Sequence, residues 1–169
     1  MKKSIFHLAF ILITLLSMNR CGVYSFTGAS LDPNIQSINI HYFDNKARLI
    51  NPMLSQVFSD AIKDRFISQT SLELTNDFAD LYLEGYISDY KITPQAIQAG
   101  ETAAMNRLTI TVKVTFTNNV NTSQSFEQSF SQYADFPSTE ELSTVENQLI
   151  EEITEYLVDA IFNKAVVNW

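Results

Sequence analysis

Hydrophobic and polar positions alternate without a fault between Leu108 and Thr117, where Leu108, Ile110, Val112, Val114 and Phe116 interleave with Thr109, Thr111, Lys113, Thr115 and Thr117. A two-residue period of this kind predicts a strand buried on one face only. Asn118-Asn119-Val120-Asn121 has turn chemistry, so Ser123 to Tyr133 is expected to return as a hairpin partner with Phe126 and Phe130 inward. Ala79 to Thr93 also alternates: Leu81, Leu83 and Ile87 point one way, and Tyr82, Glu84, Tyr86, Ser88 and Tyr90 the other. Pro94 to Met105 then serves as a wide hairpin or protruding loop. Nearer the N-terminus, Ile35 to Phe43 places Ile38, Ile40 and Tyr42 opposite Asn39, His41 and Phe43, a further half-buried strand, and Ser71 to Thr75 is a short extended piece.

Two stretches change period. Leu54, Val57, Phe58, Ala61, Ile62 and Phe66 recur every three or four residues behind Asn51-Pro52, which predicts a helix capped by Asn51, with Pro52 in its first turn, ending near Gln69. Ser55, Gln56, Ser59, Asp60, Lys63 and Asp64 fall on its wet face. Ser138 and Glu141 have the spacing of a capping box, ahead of a stripe of Leu142, Val145, Leu149, Ile150, Ile153, Leu157, Ala160 and Ile161 that runs almost to Trp169. The order strand, helix, strand, strand, strand, helix predicts an α+β fold. Its form is a two-layer sandwich, with two helices on one face of a mixed four-stranded sheet and the Tyr/Thr face uncovered.

The first 20 residues stand apart. Lys2 and Lys3 precede an apolar run from Ile5 to Leu16, too short to span a bilayer and read as an export signal. It ends at Cys21, the sole cysteine, as in bacterial lipoproteins, whose thiol is acylated and whose chain is cut just before it. Arg20 stands where such signals carry a small residue. The expected organisation is a signal over 1–20, a lipid anchor and tether over 21–33, and one domain over 34–169. Cleavage removes Lys2, Lys3 and Arg20, taking the basic count from 11 to 8 against 19 acidic residues, hence a net charge of −11. Such a chain is unsuited to nucleic acid, whose binding rests on phosphate neutralisation. With Cys21 acylated, neither a disulfide nor a thiolate metal site is available. Stability must come from apolar side chains, at 46% of residues with 12 Phe.

Catalytic patterns are missing: there is no nucleophile elbow, zinc-helix motif, phosphate loop or dinucleotide fingerprint. His41 is the one histidine left after cleavage and reads as a strand-surface residue. No enzyme activity, cofactor or metal is expected. The candidate surface is Tyr82, Tyr86 and Tyr90 with Thr109, Thr111, Thr115, Lys113 and Arg107. Such a row serves a ligand through apolar rings with polar tips, or simply cross-strand pairing. Glu140, Glu141, Glu146, Glu151, Glu152, Glu155 and Asp159 on the last helix form either a solvated face or a docking strip for a basic partner.

Four stretches carry a family resemblance: Cys21-Gly22-Val23-Tyr24-Ser25-Phe26-Thr27-Gly28-Ala29-Ser30, Asn51-Pro52-Met53-Leu54-Ser55, Asn106-Arg107-Leu108-Thr109-Ile110-Thr111-Val112, and Ile161-Phe162-Asn163-Lys164-Ala165-Val166-Val167-Asn168-Trp169. Together they resemble the LptE family as found in Bacteroidota, over the whole mature chain. The resemblance implies an outer-membrane lipoprotein, facing the periplasm or seated in a barrel lumen. It would plug and help assemble an LptD-like β-barrel and support lipopolysaccharide delivery to the outer leaflet. It also implies contact with lipopolysaccharide through basic residues. Only Arg107 and Lys113 lie on or beside the central strand of this acidic chain, so plug and assembly roles are expected over direct lipid binding. The alternative is a lipid- or glycan-binding lipoprotein that works alone through the Tyr/Thr face.

Overall fold

The faultless alternation from Leu108 to Phe116 builds the middle of the molecule. In the computed structural model, which describes residues 31–95 and 104–166, these five apolar side chains are all buried. The export segment, Cys21 and most of its tether lie outside the described residues, as do 96–103 and 167–169. The elements are β1 (Ser37–Ile40), β2 (Asp44–Asn45), α1 (Leu54–Gln69), β3 (Glu73–Leu74), β4 (Leu81–Gln95), β5 (Met105–Asn118), a single 3₁₀ turn (Thr122–Gln124), β6 (Phe126–Pro137) and α2 (Leu142–Val166). They form one mixed sheet in the order β3-β1-β4-β5-β6, with β2 following β1 along β4. β1 is parallel to both β3 and β4, and β4, β5 and β6 form an antiparallel meander.

The expected two-layer α+β arrangement is present, with six strands instead of four. The added strands are β3, from the short piece at Ser71–Thr75, and β2, from a break in the first strand. Both helices cover the same sheet face. α1 reaches it through Phe58, edge-on to Phe43 with ring centroids 5.0 Å apart. α2 packs on α1 through Phe162 against Phe66 at 5.1 Å, and an Arg65–Asp159 ion pair joins the two helices.

The break in the first strand corrects the expected facing. Ile40 pairs with Leu83 and Asp44 with Tyr86, four steps on one strand against three on the other. One extra residue reverses parity. Tyr42, expected inward, is 52% exposed, and Phe43, expected outward, is completely buried. Phe43 fits because Gly85 lies opposite: a Cβ there would come within 2.5 Å of the Phe43 ring and 2.2 Å of the Lys113 carbonyl oxygen. The Phe43 N–H, left without a strand partner, donates to Ser59 Oγ at 2.9 Å. Ser59 is therefore buried, as is Ser55, and neither lies on the wet face of α1.

The helix starts also shift. Asn51 Oδ1 accepts from Met53 N–H at 2.8 Å, which makes Asn51-Pro52 a turn leading to a helix that begins at Leu54. Ser138 does not cap α2. Its N–H donates to the Ala104 carbonyl across the end of the meander, and the helix begins four residues later at Leu142. Glu140 and Glu141 thus precede the helix and do not sit in its first turn.

Asp80 fastens the N-terminal end of the domain. Its Oδ2 accepts from Gln36 N–H at 2.9 Å, Ser37 N–H at 3.0 Å and Ser37 Oγ–H at 2.9 Å. These bonds, the Gln36 amide first, hold its carboxyl below the ordinary value of 3.8 against the opposing effect of burial.

Two outcomes follow from these contacts. Gly85→Ala forces a methyl into backbone and ring, and is expected to cost about 3 kcal/mol, read as a lower urea midpoint; truncating Phe43 will not restore it, because the Lys113 carbonyl remains. The Asp80 pKa is depressed on folding, so its stabilisation is present above the unfolded value and is lost as pH falls through the lowered folded one. The acid-side decline of the urea midpoint should therefore be shallower in Asp80→Asn, which starts from a lower midpoint near neutrality.

Candidate functional site

The face of the sheet opposite the helices is assembled in rows set by register. His41 leads the row of Glu84, Thr115 and Glu127; below it lie Tyr86, Lys113 and Ser129, then Asp89, Thr111 and Ser131, then Lys91, Thr109 and Tyr133, and last Thr93, Arg107 and Asp135. Threonine occupies the β5 position in several of these rows because it favours strands and offers a hydroxyl. Thr111 and Ser131 hydroxyls lie 3.0 Å apart.

The cations of this face are already engaged. Arg107 donates Nε–H to Asp135 Oδ1 and Nη2–H to Oδ2, each at 2.7 Å. Its guanidinium also stacks on Tyr133, 3.6 Å from the ring centroid. Asp135 raises the Arg107 guanidinium above its ordinary value, and Arg107 in turn holds the Asp135 carboxyl below 3.8. Lys113 pairs with Glu127, which raises the ammonium pKa, helped by the nearby Tyr86. Lys91 lies 3.8 Å from Asp89, and His41 Nδ1 lies 3.0 Å from Glu84 Oε1. Lys46 stands over the Tyr86 ring at 4.6 Å. Exposed pairs of this kind add little stability; what they change is the field, since Arg107, Lys113 and Lys91 each have a carboxylate in their own row or the next one.

The expected surface residues are thus brought together with one exception. Tyr82, Tyr86, Arg107, Thr109, Thr111, Lys113 and Thr115 share the open face. Tyr90 is on the other. Between Ile87 and Asp89 of β4 the register with β5 skips Ser88, so Tyr90 pairs with the buried Ile110 and is itself 4% exposed. Its hydroxyl donates to Glu146 Oε1 of α2 at 2.5 Å. Tyr82 also has a local task, accepting the Ala79 N–H at its hydroxyl. The acidic row of α2 is partly spent in the same way: Glu146 holds Tyr90 and Asp159 pairs with Arg65, while Glu151, Glu152 and Glu155 remain exposed. Glu84 is on the face where alternation puts it, whereas Glu127, Tyr133 and Asp135 were not anticipated as members. The signal for them lay in counting cross-strand partners outward from β5.

No group of three or more His, Cys, Asp or Glu is placed to hold a metal ion among the described residues. A cavity between the helices, lined by Met53, Val57, Asn147, Ile150 and Glu151, has a volume of 80 Å³, well below the ~300 Å³ of a typical small-molecule site. Among the described residues no helix is long and apolar enough to cross a membrane.

These features define a two-layer α+β domain with one sheet face closed by helices and the other left to paired charges, hydroxyls and aromatic rings. The sequence model of LptE, described as lipopolysaccharide-assembly, matches residues 35–165, and the chain belongs to that family. Its role therefore lies in lipopolysaccharide assembly. Among solved structures, a minor lipoprotein from Acinetobacter baumannii is 12% identical, with a TM-score of 0.51 over 77% of this chain and 91% of that one. A hypothetical protein from Chlamydia trachomatis is 9% identical, with a TM-score of 0.54 over 79% of this chain and 99% of that one. At such identities the likeness is one of fold. No curated protein matches the chain.

The phenol of Tyr90 is held well above its ordinary 10.0, by burial first and by Glu146 second. A raised phenol pKa means that the folded state keeps the proton; the stabilisation is complete below the unfolded value and is lost as pH rises through the folded one. Ultraviolet titration should show one fewer tyrosine ionising before unfolding than after it, a difference absent from Tyr90→Phe. That variant should also lose about 1–3 kcal/mol in chemical denaturation.

Proposed function

We propose that this protein is a non-enzymatic outer-membrane lipoprotein, anchored through Cys21, that plugs and helps assemble an LptD-like β-barrel. In that setting it supports delivery of lipopolysaccharide to the outer leaflet. The observation that carries this reading is the charge-paired, hydroxyl-rich open face. The inside of a membrane barrel presents polar side chains, and a surface meeting it needs hydrogen-bonding groups without unpaired charge, since a stranded charge costs more on burial than a satisfied one. Rows of Thr and Ser flanked by ion pairs meet that demand.

The same pairing weighs against a stand-alone anion binder. A phosphate approaching Arg107 or Lys113 would have to displace Asp135 or Glu127. Of the three tyrosines expected as a platform, Tyr90 is buried on the other face, and Tyr133, which joins Tyr82 and Tyr86 on the open one, is stacked against the Arg107 guanidinium.

Affinity purification of the full-length chain from its native outer membrane, with mass spectrometry of what remains bound, tests the proposal. A stoichiometric large β-barrel is expected; recovery of the lipoprotein alone, with the barrel present elsewhere in the same membrane, would refute it. A double Thr111→Arg/Thr115→Arg variant sharpens the result. Each new guanidinium meets an acid in its own row, Asp89 or Glu84 and Glu127, so thermal stability should hold while barrel recovery falls at least several-fold.

A further inference from the structure

Phe78 is 81% exposed, the highest value among the exposed large hydrophobic side chains of the described residues. It does not hang on a loose loop. Its neighbours are held from several sides: the Asp77 carbonyl accepts from Asn39 Nδ2, the Ala79 carbonyl accepts from Asn119 Nδ2 at 2.9 Å, and the Asp80 carbonyl accepts from Asn119 N–H at 2.9 Å. The ring itself stands edge-on to Tyr82, centroids 6.5 Å apart. The Asn119 bonds bring the β5–β6 turn alongside, where Val120 is 43% exposed. An apolar ring is thus presented to solvent on a fixed mount, although exposure of this size is unfavourable in water.

This mount is also where the N-terminal chain joins the domain. Asp80, two residues from Phe78, is the carboxylate that clamps Gln36 and Ser37. Leu31, packed in part against the core, is ten residues from Cys21, a reach of at most about 35 Å. An acylated Cys21 therefore confines this end of the domain to the neighbourhood of the bilayer. We infer that Phe78 is a second, side-chain contact with that bilayer, set into the headgroup region while the lipid anchor holds the chain in place. This rests on the reading of Cys21 as an acylated anchor. Asp77 beside the ring, with Asp80 two residues from it, selects zwitterionic over anionic headgroups, because like charge is repelled at an anionic surface.

The test uses the full-length acylated chain in phosphatidylcholine vesicles whose acyl chains carry bromine, a short-range fluorescence quencher. In a Trp169→Phe background, Phe78→Trp is compared with Tyr156→Trp, an equally simple exposed-aromatic site on α2. The expected result is a blue-shifted indole at position 78, quenched several-fold more than the one at position 156, with the difference reduced when phosphatidylglycerol is added. Vesicle flotation is measured on the same samples. A chain that floats while the two positions are quenched alike overturns the Phe78 contact and leaves the anchor standing. A chain that does not float overturns the anchor, and this inference with it. Shielding at position 78 that requires an added β-barrel partner overturns the lipid contact and assigns the ring to protein.

Discussion

A sheet covered by helices on one side only is governed by parity. Every residue along a strand faces either the core or the open side, and a single insertion exchanges the two for everything beyond it. Here β5 keeps one phase from Leu108 to Asn118, and the strands around it are adjusted to that reference by two inserted residues. The extra residue before Phe43 delivers a ring to the core over Gly85. The skipped Ser88 turns Tyr90 from the open face towards Glu146. Helix positions follow: Ser59 of α1 is tied to the first irregularity and Glu146 of α2 to the second.

The same two places mark where the sequence stopped being readable. β5, the meander and the apolar stripes of both helices were legible because each carries many side chains in a single period. The break at His41–Tyr42 was not, since Ile-His-Tyr-Phe reads equally well in either phase until its partner strand is known. Tyr90 was assigned to the wrong face for the same reason: Ile-Ser-Asp-Tyr shows nothing locally that marks Ser88 as unpaired. Gly85, a glycine inside a long strand, was the one local sign of a close approach. The buried serines of α1 lie at helical spacing from Ile62 and Phe66, but their polar type pointed the other way, because the group that Ser59 satisfies lies on another element.

The candidate face was legible in its threonines and opaque in its electrostatics. Counting charges gives an acidic chain with few cations, which is correct and incomplete. Register shows where those cations sit: Arg107 between Asp135 and Tyr133, Lys113 beside Glu127, Lys91 beside Asp89. The main cations of the face are therefore paired though the chain is acidic overall, and several of the unanswered carboxylates, Glu151, Glu152 and Glu155 among them, lie on α2. Membership in the LptE family and a surface suited to a polar wall are consistent with each other on this account.

The clamp at Asp80 also has a mechanical meaning. β1 lies between β3 and β4 with both neighbours parallel to it, and Asp80 grips its leading residues just before β4 begins. Tension applied through the N-terminal chain would load these bonds and the two ladders in shear, along the strands, rather than peel an edge open one bond at a time. The longest strand of the sheet would carry that load into the core, so a pull on the leader would move the domain as a unit.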